Sequence, residues 1–128
     1  MFCDRAEVPF DKDIFKVTAC TGAAAAQLTS GMTIHSAAQI NMRKVNHISI
    51  EWESTNTVFI DEISFMSSAV LQKLDNNLRT LTGKRDKLFG GLNVIFVGDF
   101  RQLKPVVGNP VYEKYSCICH GAINKEFF

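Results

Sequence analysis

The chain has 128 residues, of which 46% are hydrophobic and 21% charged, the size and balance of one globular domain. A disordered tail, a collagen-like rod and a coiled coil are excluded as its main structure, and a complete two-lobed molecular motor does not fit. Fourteen Lys and Arg against 13 Asp and Glu leave a net charge of +1, so gross charge neither suggests nor excludes a nucleic-acid partner.

No apolar run approaches the roughly 18 residues that a spanning helix needs. The opening MFCDRAEVPF lacks the basic-then-apolar order of a secretion signal, so no membrane partner is expected. Cys3, Cys20, Cys117 and Cys119 are the cysteines. The last two, as C-x-C before His120, form one close pair, whereas zinc knuckles use two. Free thiols in a reducing compartment are the favoured reading, with a zinc site completed by another segment as the alternative.

In chain order, residues 14–19 (IFKVTA) are the first predicted strand. Residues 22–30, with four alanines, Gln27 and Leu28, suit a helix, and residues 33–40 (TIHSAAQI) suit a second. Residues 41–54 carry Ile48, Ile50 and Trp52 in alternation with polar residues, which fits a half-exposed strand. Residues 57–60 (TVFI) and 93–97 (NVIFV) are apolar throughout, as in parallel strands buried on both faces. Between them Leu71, Leu74, Leu78 and Leu81 make the stripe of a helix over residues 68–82, capped by Ser67 or Ser68. Asp75, Asn76, Asn77 and Arg79 fill its other side, and Gly83 ends it in a left-handed turn. Residues 108–128 read as irregular. The pattern is that of an α/β domain with right-handed crossovers and a mainly parallel sheet.

Ligands of open parallel sheets bind beyond the carboxyl ends of the strands. The three strands end in Thr21-Gly22, in Asp61-Glu62, and in Gly98-Asp99 with Gln102 following. An acidic pair after a buried strand suits phosphoryl transfer: one carboxylate organises Mg²⁺ on nucleotide phosphates and its neighbour orients or deprotonates water. The same residues can also open a helix, where they complement its dipole. Gln102 can orient water and sense a phosphate oxygen, or belong to an ordinary Gly-Asp turn. Thr21-Gly22 can hold a phosphate oxygen or form a plain cap. Thr33, His35 and Ser36 carry the same ambiguity at the next helix start. Phe100 can stack on a base; Trp52 and the other phenylalanines are expected in the core.

VTACTGAAAAQLTSGMTIHSAAQI, VFIDEISFMSS and FGGLNVIFVGDFRQLKPV together resemble three consecutive blocks of the petite-integration-frequency (PIF) family of DNA helicases, which includes the helicases of Helitron transposons. The resemblance covers residues 16–107. It implies the first RecA-like lobe of a superfamily-one helicase that unwinds DNA 5′-to-3′ with ATP, active in DNA repair, recombination, telomere maintenance or transposition. It implies that Asp61 organises Mg²⁺, that Glu62 activates the hydrolytic water, and that Gln102 contacts the γ-phosphate of ATP. It puts Thr21, Gly22, His35 and Ser36 on the track of single-stranded DNA, with duplex-DNA junctions as further partners. It also implies an intracellular location, nuclear or mitochondrial.

The family usually has proline where this chain has Cys20 and Lys104. No G-x-x-x-x-G-K-[ST] loop occurs in the chain, and that loop supplies much of the phosphate affinity. The chain therefore reads as a single partial domain, its motif-bearing core at about residues 14–107, lacking the P-loop strand and helix and the second lobe. One sheet edge is expected to be unpaired, and the product to be marginally stable. Two other readings stay open: a degenerate, non-catalytic remnant or interaction module, and an unrelated P-loop ATPase. The isolated polypeptide is expected to hydrolyse ATP negligibly; robust turnover abolished by Glu62→Gln would contradict that.

Overall fold

Short apolar runs with no wet residues between them bury their backbones only by pairing with one another. In the computed structural model, which describes residues 14–29, 31–41 and 50–112, they pair side by side. β1 (Phe15–Ala19), β3 (Thr57–Asp61) and β4 (Asn93–Phe96) are neighbouring parallel strands. A two-residue strand, β2 (Met32–Thr33), which the sequence reading missed, lies on the far side of β1, giving the order β2-β1-β3-β4. Register is set by Val17 opposite Phe59, Ala19 opposite Asp61, and Ile60 opposite Phe96. The expected α/β architecture is present.

Helices join the strands. α1 (Gly22–Gln27) and α2 (Ile34–Ala37) are shorter than their predicted spans. Residues 50–53, expected to be extended, form a helical turn, α3 (Ile50–Glu53), with Trp52 buried and the Lys16 amine 5.1 Å from its ring centroid. The alternation there is too short to tell a strand from one helical turn; residues 42–49 lie outside the described residues. α4 (Ser68–Leu81) has Ser67 as its cap and Gly83 in the left-handed region, as predicted.

One core lies between α4 and one face of the sheet. Leu71, Leu74, Leu78 and Leu81 meet Val58, Ile60, Ile34 and Trp52 there. Each leucine contributes about 1.5–3 kcal/mol by leaving water. Thr18 is fully buried in the sheet, and its hydroxyl donates to the Phe59 carbonyl at 2.8 Å, which offsets the cost of burying it. Ser64 Oγ, by contrast, is buried with no partner among the described residues.

The opposite face of the sheet is only partly covered. α1 seals it with Ala24, Ala25 and Leu28 against Ala19. Val17, Ile95 and Val97 remain 37–48% exposed. β4 is therefore not buried on both faces, as its composition had suggested. It is an edge strand whose Val94 and Phe96 pack inward while Ile95 faces out.

Two polar residues of α4 also depart from expectation. Asp75 is 6% exposed instead of lying on the wet side. It takes the Arg79 Nε proton at 2.8–2.9 Å and the Phe89 backbone proton at 2.6 Å. Phe89 and Gly90 have positive φ, and a Cβ on Gly90 would lie 2.1 Å from Thr82 Oγ1. The carboxylate thus pins the sharp turn over Leu88–Gly91 that launches β4. Asn77 donates to the Ala38 and Gln39 carbonyls at 2.7 and 3.2 Å, tying α4 to the end of α2.

Removing the Asp75 carboxylate takes away the acceptor that the buried Phe89 N–H and the Arg79 guanidinium use here. Asp75→Ala is expected to cost about 2–4 kcal/mol in urea unfolding, whereas Asn76→Ala on the exposed side should stay within about 0.5 kcal/mol. Equal effects would show that Asp75 pins nothing.

Candidate nucleotide and DNA site

The carboxyl ends of all four strands lie on one rim, and their order in space is the order of the candidate residues across it. β2 ends at Thr33, which caps α2 and so places His35 and Ser36 at that end of the rim. β1 ends before Thr21-Gly22, β3 at Asp61-Glu62, and β4 before Gly98. Backbone bonds carry the sheet beyond the strands: the Cys20 N–H donates to the Asp61 carbonyl at 3.0 Å, Val97 N–H to Ile60 at 2.9 Å, and Ile63 N–H to Val97 at 3.0 Å.

Asp61 and Glu62 leave β3 in different directions because the chain changes hand between them. Asp61 is extended in the strand, whereas Glu62 adopts φ 57° and ψ 43°. This left-handed conformation costs a non-glycine residue roughly 1–2 kcal/mol. The Glu62 N–H donates to Asp61 Oδ1 at 2.8 Å, which holds the first carboxylate still and leaves its second oxygen open.

Thr21 connects the two neighbouring strand ends. Its hydroxyl accepts from the Ala24 N–H at 3.2 Å, the cap the sequence allowed. It also donates to Glu62 Oε2 at 2.7 Å, a contact the sequence reading missed. The signal was partly in the register: with Ala19 opposite Asp61, the next positions along are Cys20 and Glu62, so Thr21 follows one residue beyond the place opposite Glu62 at the adjacent strand end.

Cys20 is wedged beside them. Burial, and then the negative charges of Glu62 and Asp61, push its thiol from an ordinary 9.0 up to about 12. It is a protonated, inert thiol at neutral pH.

Gly98 explains how the loop after β4 comes close. A Cβ there would lie 3.0 Å from the Ile63 nitrogen and 3.1 Å from its Cγ2, so only glycine lets the chain pass against the turn that follows Glu62. Beyond it, the Asp99 carboxylate accepts from the Arg101 N–H at 2.8 Å and closes a turn. Asp99 thus takes the turn role, and Gln102 lies on that turn, exposed. Phe100 packs edge-to-face on Tyr112 with ring centroids 5.0 Å apart, 44% exposed. On the α2 side, Thr33 Oγ1 donates to Ser36 Oγ at 3.0 Å; Ser36 is exposed and His35 half-buried. Thr21, Asp61 and Glu62 are therefore directly joined, Gly98 lies against the turn that follows Glu62, Gln102 comes four residues further along that loop, and His35 and Ser36 lie at the opposite end of the same rim.

An apolar trough of about 280 Å³, lined by Val17, Leu28, Phe59 and Val97, runs over the open sheet face and reaches Asp61. Among the described residues no three His, Cys, Asp or Glu side chains form a metal cluster. One open carboxylate suits an ion that takes its other ligands from phosphate and water, as Mg²⁺ does in such sites. Among the described residues no helix is long and apolar enough to cross a membrane. Cys117, Cys119 and His120 lie outside the described residues.

The raised Cys20 thiol has a consequence for stability. Its ionisation favours the unfolded chain wherever only that chain has lost the proton, so its contribution is complete below pH 9 and falls away as pH rises toward 12. Cys20→Ala should flatten the fall in urea stability over that window relative to the parent. Identical slopes would show that the thiol is not buried beside the acidic pair.

Three comparisons bear on this geometry. The family description "PIF1-like helicase" matches residues 5–124. The ATP-dependent DNA helicase PIF1 of Saccharomyces cerevisiae is 36% identical over 114 residues, covering 79% of this chain and 13% of that protein. PIF6 of Trypanosoma brucei brucei, also an ATP-dependent DNA helicase, is 39% identical over 102 residues, covering 70% and 13%. The chain thus spans only about an eighth of the length of these relatives. The crystal structure of Pif1 helicase from Bacteroides in complex with ADP-AlF3 and ssDNA matches with a TM-score of 0.62 at 35% identity, covering 73% of this chain and 24% of that one. A family match across nearly the whole length, joined to a RecA-like sheet with the three blocks on one rim, leads to one conclusion: the chain belongs to the PIF1-like helicase family.

Proposed function

We propose that this chain is the central part of the first motor lobe of an ATP-dependent DNA helicase, and that its rim takes nucleotide on the β3–β4 side and single-stranded DNA on the β1–β2 side. The observation that carries the reading is the joining of Thr21, Asp61 and Glu62 at adjacent strand ends, with Gly98 against the turn that follows Glu62. Solved relatives bind ADP-AlF3 and ssDNA, and one is described at forked double-stranded DNA.

In this reading the open oxygen of Asp61 ligates Mg²⁺, which neutralises phosphate charge when bound. Glu62 orients and deprotonates the attacking water. Gln102, exposed on its turn, is free to swing toward a γ-phosphate and to report its loss. Gly22 leaves the start of α1 bare, with nothing within 4 Å of where a Cβ would be, so a DNA backbone can approach Thr21 and Gly22 closely. His35 and Ser36 extend that track, as polar groups that contact sugar and phosphate without reading bases. Duplex junctions, 5′-to-3′ polarity, an intracellular site in nucleus or mitochondrion, and service in repair, recombination, telomere maintenance or transposition belong to the same proposal.

Two measurements test it. Labelled oligo(dT) should bind the 128-residue chain, and the affinity should fall with salt as backbone neutralisation requires. Residues 15–112, transplanted into the Bacteroides Pif1 helicase in place of the segment they match, should support DNA-stimulated ATP hydrolysis. Glu62→Gln in that chimera should lower kcat on the order of a hundredfold or more. Absence of DNA binding, or full turnover by the Glu62→Gln chimera, would overturn the reading.

A further inference from the structure

The geometry points to Thr21 as the positioning residue for Glu62, and to the Thr21–Glu62 hydrogen bond as an exchangeable link through which DNA on the β1 side releases the water-activating carboxylate on the β3 side. This deepens the proposed function and rests on it.

A threonine hydroxyl has one proton to give. Here that proton is committed to Glu62 Oε2 at 2.7 Å, and the oxygen is committed to the Ala24 N–H at 3.2 Å. Thr21 therefore cannot donate to a DNA phosphate while it holds Glu62. A phosphate that takes the proton leaves the cap intact, because the cap uses the oxygen, but frees the carboxylate.

The bond also aims Glu62. It turns Oε2 toward the end of β1, away from the β4 side where Gly98 brings in the loop bearing Gln102. A carboxylate oxygen so engaged has a lone pair fewer to offer water. Nothing else fixes the side chain among the described residues: Oε2 has no other partner in the hydrogen bonds of this site, while the Glu62 N–H is spent on Asp61. The backbone beneath is already in the left-handed region, so the hydroxyl is the element that selects a side-chain direction. Thr21 stands between the two halves of the rim: the backbone bond from the Cys20 N–H to the Asp61 carbonyl also crosses there, but the Thr21 hydroxyl bond is made by a side-chain proton that a phosphate can take.

By linkage, if Glu62 competes with DNA for this proton, DNA must compete with Glu62 to the same degree. A double-mutant cycle on the 128-residue chain reads this directly. Glu62→Gly suits the left-handed backbone and removes the acceptor. It should tighten oligo(dT) binding, and by several-fold more with Thr21 present than in the Thr21→Val background. Tightening by one common factor in both backgrounds would be a charge effect alone and would overturn the inference. In the chimera, Thr21→Val should raise DNA-free kcat on the order of tenfold and collapse the DNA stimulation, with KM for ATP unchanged and Thr21→Ser restoring both. A Thr21→Val enzyme that loses DNA-free and DNA-stimulated turnover in equal proportion would also overturn it. Wild type that binds no DNA would sink the helicase reading together with the inference. Wild type that binds DNA but shows no coupling would sink the inference alone.

Discussion

The pairing of β1 with β3 is the constraint on which the site depends. Five consecutive partners, from Phe15 opposite Thr57 to Ala19 opposite Asp61, fix where both strands stop. A slip of one residue would invert every side chain relative to the core. Val58 and Ile60 would face the open side, and Asp61 would turn into the leucines of α4. Hydrophobic burial beneath the sheet therefore enforces the alignment of polar groups above it. The register that keeps Ile60 and Leu74 fully buried also sets Thr21 within hydrogen-bond reach of Glu62.

Around that pairing, the polar groups departing from simple amphipathic expectation are those that position neighbouring segments. Asp75 reaches from the inner side of α4 to the turn before β4, and thus governs the approach of the strand that leads to Gly98 and Gln102. Asn77 reaches from the same helix to the end of α2, behind His35 and Ser36. One helix thus anchors both ends of the rim. The left-handed conformation of Glu62 is the local strain that results when an acidic pair must diverge immediately beyond a straight strand.

Much of this was legible in the residues. The three apolar strands and the leucine helix follow from period and composition, because burial on a regular element leaves a regular mark. β2 was not legible: two residues carry no period, and Met32 and Thr33 pair only because α1 returns the chain beside β1. Nor was α3, where Ile50 and Trp52 alternate as a strand would. The inward turn of Asp75 is invisible to pattern because its partner, the Phe89 N–H, lies fourteen residues away on a turn whose positive φ at a phenylalanine has no sequence signature. β4 misled in the opposite sense: its residues are apolar on both sides, yet one side is open. At the site, residue types announced the chemistry, whereas the bond joining Thr21 to Glu62 needed the register.

Native-state hydrogen exchange at three amides tests the shared rim most directly. Cys20, Ile63 and Val97 donate across the strand ends that flank the acidic pair, to Asp61, Val97 and Ile60. If the ends are locked together, these amides open only when the sheet itself opens, with the same free energy as the amides inside β3. Exchange of all three at the rate of unstructured chain, while β3 stays protected, would mean that the strand ends fray apart and that no common site exists.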